Sequence, residues 1–376
     1  MLACSAQRRF GGWQKRIQRR DSRGVRLEMR RVTIPFFLKI DGGLKDPVVR
    51  EIVSRFGKSV CAVIVTDNLV KKMFAEDISR GLGEKEVLNK IILVSDNSLS
   101  EVERVVKESS EFEGDVVVVG VGGGKALDVA KMVAAKMEKP FVSVPTLMSH
   151  DGICSPIAVL KDGAGKSQSL VARMPHGLIA DLEVIAASPV RTRRAGVGDL
   201  VSNLSALSDW RLACECGKEE MEDFAYLLSN TAALSVVKSE SKNVEDKLFL
   251  RDVLNGLILG GIAMEIAGTS RPCSGGEHEF SHALDVIGTS ALHGEQVAVG
   301  TILCSYLRGE DWQLYKRVFD LVGLPVNASG LGISSETAVR ALVEAPRTRP
   351  DRYTILEHVG IDEKIAREAA EATGVI

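Results

Sequence analysis

Short apolar runs rich in β-branched residues alternate with amphipathic stretches through the first half of this chain. Residues 60–65, 91–94, 116–119 and 141–144 are apolar at successive positions, the pattern of strands covered on both faces. Between the last two, Ala126, Val129, Ala130, Val133 and Ala134 follow the i, i+3, i+4, i+7, i+8 stripe that turns one helical face toward a core. Strand, helix, strand recurrence predicts a parallel sheet. Past Ser188-Pro189 helix formers at helical spacing dominate to the C-terminus, and no strand is predicted there. The pattern therefore predicts an α/β N-terminal Rossmann-like domain with a parallel sheet (residues 31–188) and an all-α C-terminal domain (189–376). The link falls near Pro189 and the Arg-rich run Arg191, Arg193 and Arg194. A cleft between the halves is the expected place for a site.

Composition changes this picture little. With 376 residues, 45% apolar and 26% charged, the chain can bury two sizeable cores. Its longest apolar runs, such as 256–263, fall short of the ~18 residues a membrane helix needs, so no integral membrane segment is expected. The net charge of -2 hides an asymmetry: residues 1–31 hold ten Lys/Arg against two acids, leaving the body at -10. An acidic body argues against nucleic-acid binding, which needs a clustered basic surface. Residues 1–30 read as a basic extension, disordered or upstream of the true start at Met29, since Val32-Thr33-Ile34 looks like the first strand; a transit peptide is the competing reading. Seven scattered cysteines point to reduced thiols in a cytoplasmic protein, and Cys214-Glu215-Cys216 lacks a second pair at zinc-finger spacing.

The strand at 116–119 runs into Gly120-Val121-Gly122-Gly123-Gly124-Lys125-Ala126-Leu127-Asp128 and then the amphipathic helix. Four glycines in five positions let backbone N–H groups approach a pyrophosphate, and the helix N-terminus adds partial positive charge. The spacing is not the Rossmann fingerprint, and Ala126 after Lys125 rules out a P-loop ending. A purely structural turn is the plainer alternative; dinucleotide binding is the sharper one. After the next strand come Thr146-Leu147-Met148-Ser149-His150-Asp151-Gly152 and Ser155, whose hydroxyls and carboxylate suit ribose, amide or substrate hydroxyls, or simply a polar turn. Asp67, following the strand at 60–65, reads either as a helix cap or as an acceptor for an adenosine ribose hydroxyl, which would bias toward NAD over NADP.

Of six histidines, three fall within sixteen residues: His278, His282 and His293. A helix would put His278 and His282 on one face, where they share a metal or divide metal and substrate duties. A catalytic divalent ion commonly takes three protein ligands and keeps one position open, so a further donor is needed. Asp199 in Ala195-Gly196-Val197-Gly198-Asp199 is the candidate, at what looks like the start of a helical segment, where an N-cap is its alternative role. Such a set suits Zn2+ but equally Ni2+ or Fe2+.

Gly122-Gly123-Gly124-Lys125 with Asp128, Pro145-Thr146 with Ser149 and Asp151, Gly198-Asp199, Glu277-His278 with His282, and His293-Gly294-Glu295 stand in an order that resembles the sn-glycerol-1-phosphate dehydrogenases. Their superfamily includes glycerol dehydrogenases, iron-type alcohol dehydrogenases and dehydroquinate synthases, so the implied fold is dehydroquinate synthase-like. The resemblance spans roughly residues 30–310; Gly276 departs from the Ser or Ala of many relatives. It implies that Asp199, His278 and His293 coordinate Zn2+ and that Asp151, His282 and Asp199 touch the substrate. It also implies that Gly124, Lys125, Ala126, Leu127 and Asp128, with Thr146, Leu147, Met148, Ser149 and Ser155, hold NAD(H) or NADP(H). The implied reaction is reduction of dihydroxyacetone phosphate to sn-glycerol 1-phosphate for archaeal-type membrane phospholipids, the metal acting as Lewis acid and His282 relaying a proton. Lys161, Lys166 and Arg173, around Gly163-Ala164-Gly165, are candidates for the substrate phosphate or plain solvated charges. The competing readings are a glycerol or other alcohol dehydrogenase, a dehydroquinate synthase-like lyase, and a catalytically dead binding protein; a homo-oligomer stays open.

Overall fold

The computed structural model describes residues 17–20, 26–29, 32–40, 42–112, 114–163 and 165–376. Most of the basic extension lies outside the described residues. Within it, β1 (Ile17–Arg20) and β2 (Arg26–Met29) pair antiparallel. The main sheet is built from β3 (Phe37–Ile40), β4 (Cys61–Thr66), β5 (Asn89–Leu93), β6 (Val116–Gly122), β7 (Phe141–Pro145) and β10 (Gly177–Ala180). A separate hairpin, β8 (Ile157–Lys161) with β9 (Ser167–Val171), follows β7. Val32-Thr33-Ile34, expected as a strand, is not one. Pro35, without an N–H, interrupts it, and pairing with the sheet begins where Phe36 N–H donates to the His176 carbonyl at 2.7 Å.

All neighbours in the main sheet run parallel, in the order β3-β10-β7-β6-β4-β5. Both faces are covered, which is why the central strands are apolar throughout. Cys61, Val63 and Val65 of β4 with Val116 and Val118 of β6 pack on one core; Ala62, Ile64, Val117 and Val119 pack on another across the sheet. Helices α1 (Lys45–Phe56), α2 (Asn68–Val70), α3 (Glu76–Glu84), α4 (Leu99–Ser109), α5 (Gly124–Lys136) and α6 (Leu182–Ala187) connect and cover the strands. From β4 the chain steps outward to β5, then returns to β6 and proceeds the other way through β7 and β10. The carboxyl ends of β4 and β6 therefore flank the switch point, where open α/β sheets place their ligand crevice.

From Val190 the chain is helical and contains no strand. Its helices are α7 (Val190–Glu215), α8 (Asp223–Lys238), α9 (Lys247–Ala267), α10 (Gly276–Ile287), α11 (His293–Leu307), α12 (Trp312–Val322), α13 (Ser335–Glu344), α14 (Ile355–Val359) and α15 (Glu363–Thr373). One apolar core runs from the sheet face under α5 through Met148, Ile153 and Cys154 into Val197, Leu200, Ala298 and Val299 of α7 and α11. That continuity holds the sheet edge against the helical region. Among the described residues no helix is long and apolar enough to cross a membrane.

Candidate active site

The glycine turn sits at the switch point. Gly122 has φ +151°, a conformation L side chains rarely adopt, and a Cβ on Gly123 would lie 2.8 Å from Leu147 Cδ1. Gly123 caps α5 without a side-chain hydrogen bond, so the leading N–H groups of that helix remain open to an anion. The turn is tied to the next strand end by Thr146 N–H, which donates to the Gly122 carbonyl at 3.0 Å. A Cβ on Gly124 would fall 2.6 Å from His150 Nε2, so the imidazole closes directly over the turn.

Several residues expected at the nucleotide face point elsewhere. Ala126, Leu127 and Met148 are fully buried in the core and can meet a ligand only through their backbone. Asp128 is buried beneath the hairpin, where its Oδ2 accepts from Val159 N–H at 3.1 Å and its Oδ1 faces Lys131 Nζ at 3.4 Å. Lys125 reaches the Ser95 carbonyl at 3.2 Å, and Ser155 Oγ donates to the Ile157 carbonyl at 3.3 Å. Asp67 is the cap of α2, with Oδ1 accepting from Leu69 and Val70 N–H groups at 2.9 Å; its Oδ2 faces the turn, 3.9 Å from where a Gly122 Cβ would stand.

Asp199, expected near a helix start, lies in the interior of the 26-residue α7. Two mid-helix glycines beside it each cost roughly 1 kcal/mol of helix propensity relative to Ala, and packing explains them. A Cβ on Gly196 would stand 2.3 Å from the Met148 carbonyl oxygen and one on Gly198 2.1 Å from the Gly294 carbonyl oxygen, while one on Gly294 of α11 would stand 1.9 Å from the Ala195 carbonyl oxygen. Backbone thus meets backbone where α7 crosses the first turn of α11, which brings Asp199 to His293. His278 arrives from α10, and its ring centroid is 4.9 Å from that of His293.

The three donor atoms lie within 4.8 Å of one another. Asp199 Oδ1 is 3.8 Å from His278 Nε2 and 3.4 Å from His293 Nε2. Ligands about 2.1 Å from a tetrahedral ion stand about 3.4 Å apart, so the trio fits a divalent cation. The opposite ring nitrogens are occupied: His278 Nδ1 meets Glu277 Oε1 at 3.0 Å, and His293 Nδ1 meets Ser281 Oγ at 2.9 Å. Burial pushes the His278 pKa down against the pull of Glu277. Burial also works against a charged His293, but its hydrogen bond to Asp199 and the charge of that carboxylate outweigh it, and its pKa is raised. Burial alone would raise Asp199, yet His293 and the neighbouring imidazoles hold it below the usual carboxylate range.

Asp151 stands beside this trio, its N–H donating to Asp199 Oδ2 at 2.8 Å. Burial, then the Asp199 charge, pushes its carboxyl up to about 8. His282 lies one turn along α10 from His278, ring centroids 6.5 Å apart, and is outside the donor trio. Burial first, then Arg349 and neighbouring imidazoles, holds its pKa well below the ordinary histidine range. Of the remaining histidines, His176 Nδ1 accepts from Phe141 N–H at 3.3 Å and His358 pairs with Tyr353 OH at 3.0 Å, both away from the site.

The sequence reading missed the partners that orient these groups. Glu277, fully buried, also accepts from Gly275 N–H at 2.6 Å and from Ser205 Oγ at 2.9 Å. Lys131 is fully buried and donates to the carbonyls of Gly152 at 2.9 Å and Ile157 at 2.5 Å, holding the segment that carries Asp151. Adjacency to His278 was an available signal for Glu277. A lysine inside an apolar stripe gave none for Lys131.

The family described as iron-containing alcohol dehydrogenase matches residues 47–189. A glycerol-1-phosphate dehydrogenase (NAD(P)+) of Hyperthermus butylicus is 39% identical over 351 residues, covering 93% of this chain and 99% of the relative. The enzyme of the same name from Methanosarcina acetivorans is 41% identical over 317 residues, 84% of this chain and 88% of the relative. Among solved structures, a probable glycerol dehydrogenase from Sinorhizobium meliloti 1021 superposes with a TM-score of 0.73 at 25% identity, over 90% of this chain and 96% of that one. With identity near 40% sustained along almost the full length of such relatives, on a fold shared with iron-containing alcohol dehydrogenases, the chain belongs to the glycerol-1-phosphate dehydrogenase family.

Proposed function

We propose that this chain reduces dihydroxyacetone phosphate to sn-glycerol 1-phosphate, with residues 31–188 binding NADH or NADPH and residues 189–376 binding Zn2+ through Asp199, His278 and His293. The observation that carries the reading is the convergence of those three donors beside Asp151, on the segment that leaves the strand next to the glycine turn. Ni2+ and Fe2+ suit the same donors. The name glycerol-1-phosphate dehydrogenase carried by the Hyperthermus butylicus and Methanosarcina acetivorans relatives favours this substrate. When bound, the reduced nicotinamide supplies hydride for the ketone carbon and the divalent ion supplies Lewis acidity.

In this reading the open N–H groups of Gly124, Lys125 and Ala126 cradle the diphosphate, with Gly122 and Gly123 keeping side chains out of its way. Leu127 and Asp128 fix the helix beneath, while Thr146, Leu147, Met148, Ser149 and Ser155 border the nicotinamide end. Asp151, Asp199 and His282 contact the substrate. A neutral His282 ring offers one N–H and one lone pair, so it can pass a proton to the oxygen as the carbon is reduced. The product would enter archaeal-type phospholipid synthesis from the cytoplasm. Oxidation of NADH and NADPH dependent on dihydroxyacetone phosphate, with and without chelator, followed by chiral analysis of the product, tests the proposal. Turnover lost on chelation and restored by metal is expected. Absence of turnover at full metal occupancy, or faster turnover of glycerol with NAD+, would overturn it.

A further inference from the structure

Three arginines converge where the helical region meets the hairpin, and their charges are incompletely matched. Arg271 forms a two-point pair with Glu219, including Nε to Oε2 at 2.7 Å, yet its Nη1 is buried with no hydrogen-bond partner. Arg349 Nη1 donates to Ser270 Oγ at 3.2 Å and Ser274 Oγ at 3.1 Å, and its Nη2 to Ser169 Oγ of β9 at 3.4 Å. Arg352 Nη2 donates to the same Ser270 Oγ at 2.8 Å, and its Nη1 to the Ser274 carbonyl. Two guanidinium groups thus meet on one hydroxyl. Among the described residues neither has a carboxylate within ion-pair distance. Both residues are only half-buried, so each keeps a face that solvent can reach.

We propose, resting on the reading above, that Arg349 and Arg352, backed by Arg271, form the subsite for the phosphate of the substrate. Like charges brought together without counter-ions are costly, and a dianion between two planar forks, each with five N–H donors, relieves that cost. The location fits. Ser270 and Ser274 lead straight into α10, whose first turns carry Glu277 and His278 and whose next turn carries His282. Only a methylene separates the ketone carbon from the phosphate ester, so the phosphate must lie near the residues that handle the ketone. Arg349 and Arg352 are among the cations that depress the His282 pKa, which places them on its side. Glu279 accepts from Thr354 Oγ1 at 3.1 Å and lies beyond ion-pair distance of both arginines, so it is not their counter-ion. The earlier candidates lack such a setting: Lys161 and Lys166 are exposed on the hairpin, and Arg173 Nη1 donates to the Lys139 carbonyl at 2.9 Å.

The test compares Arg349→Gln, Arg352→Gln and Arg352→Lys with the wild type, using dihydroxyacetone phosphate, unphosphorylated dihydroxyacetone and inorganic phosphate as probes. Each Gln variant is expected to raise KM for the phosphorylated ketone about 30- to 100-fold and to lower its kcat/KM preference over dihydroxyacetone by a similar factor. Inhibition by inorganic phosphate should weaken in parallel, while the Kd for NADH stays within about twofold. Arg352→Lys keeps the charge but loses the fork, and about a tenfold rise is expected. Equal losses on both ketones, a matching loss of NADH affinity, or an unchanged KM would overturn the subsite. If the wild type fails to reduce dihydroxyacetone phosphate, the functional reading falls. Calorimetric titration of inorganic phosphate into the wild type and Arg352→Lys, both checked for metal content and melting temperature, then still decides whether the arginines bind this anion.

Discussion

Each imidazole proposed as a metal ligand has its Nδ1 held by a buried group, which sets ring orientation and leaves Nε2 turned toward Asp199. Glu277 does this for His278 while also bonding Gly275 and Ser205, so a single carboxylate organises the start of α10. We predict that Glu277→Gln weakens metal retention about 10- to 100-fold in competition with a chelator. Metal affinity equal to wild type would show that Glu277 only supports the fold. Asp67 spends one oxygen as a helix cap and turns the other toward the glycine turn, where a 2′-phosphate would meet its charge. Asp67→Ser keeps a capping oxygen and should raise the NADPH to NADH ratio of kcat/KM by about tenfold or more. An unmoved ratio would remove Asp67 from cofactor selection.

At the scale of elements, the site depends on how closely α7 and α11 approach. Any side chain at Gly198 or Gly294 would collide with backbone, which cannot rotate away as a side chain can. Gly294→Ala should cost at least ~2 kcal/mol and lower metal content, whereas Gly83→Ala, on an exposed face of α3 with nothing within 4 Å, should be neutral or stabilising by up to ~1 kcal/mol. Thermal melts of the two variants, with metal assayed in each, make the comparison; similar melting temperatures would refute it. Lys131 plays a comparable part for the segment from Gly152 to Ile157. Removing its ammonium takes the donor from the Gly152 carbonyl, leaves the Ile157 carbonyl only Ser155 Oγ and leaves Asp128 Oδ1 without its cation, and Lys131→Met is predicted to lose roughly 2–4 kcal/mol of stability.

For the whole molecule, an ion bound at the proposed site would tie α7, α10 and α11 together, so metal removal is expected to lower the melting temperature. Protons act on the same region. His150, His176, His278 and His282 all have pKa values pushed down by burial in the folded protein, against His293 raised by Asp199. A depressed histidine contributes stability that is present above its unfolded value near 6.5 and is lost as pH falls toward its folded value. His293 works the opposite way, as do the buried carboxyls of Asp151 and Glu279, whose raised pKa values make them favour the fold as pH falls. The histidine contribution is therefore read by difference: between pH 7 and pH 5 the metal-free wild type should lose more melting temperature than His176→Asn, which scanning calorimetry of both across that range would check. Equal losses would mean that the His176 imidazole is more exposed than its surroundings indicate.

The chain's own pattern was enough for the four neighbouring strands β7, β6, β4 and β5, the helix after the glycine turn, the change to helix after Pro189 and the clustering of histidines. Continuous apolar runs, a 3.6-residue stripe and glycines between strand and helix are local signatures, set by neighbours a few residues away. The edge strand β3, the four-residue β10 and the polar hairpin strand β9 carried too little local signal to be read. Tertiary structure alone decided that Asp199 is mid-helix rather than a cap, that Lys131 is buried under a loop, and that Arg349 joins β9 to the segment before α10. Those outcomes depend on partners dozens to hundreds of residues distant. A buried charge or a helix glycine looks like a flaw until the group that satisfies it, or the backbone that presses against it, is brought into place by the fold.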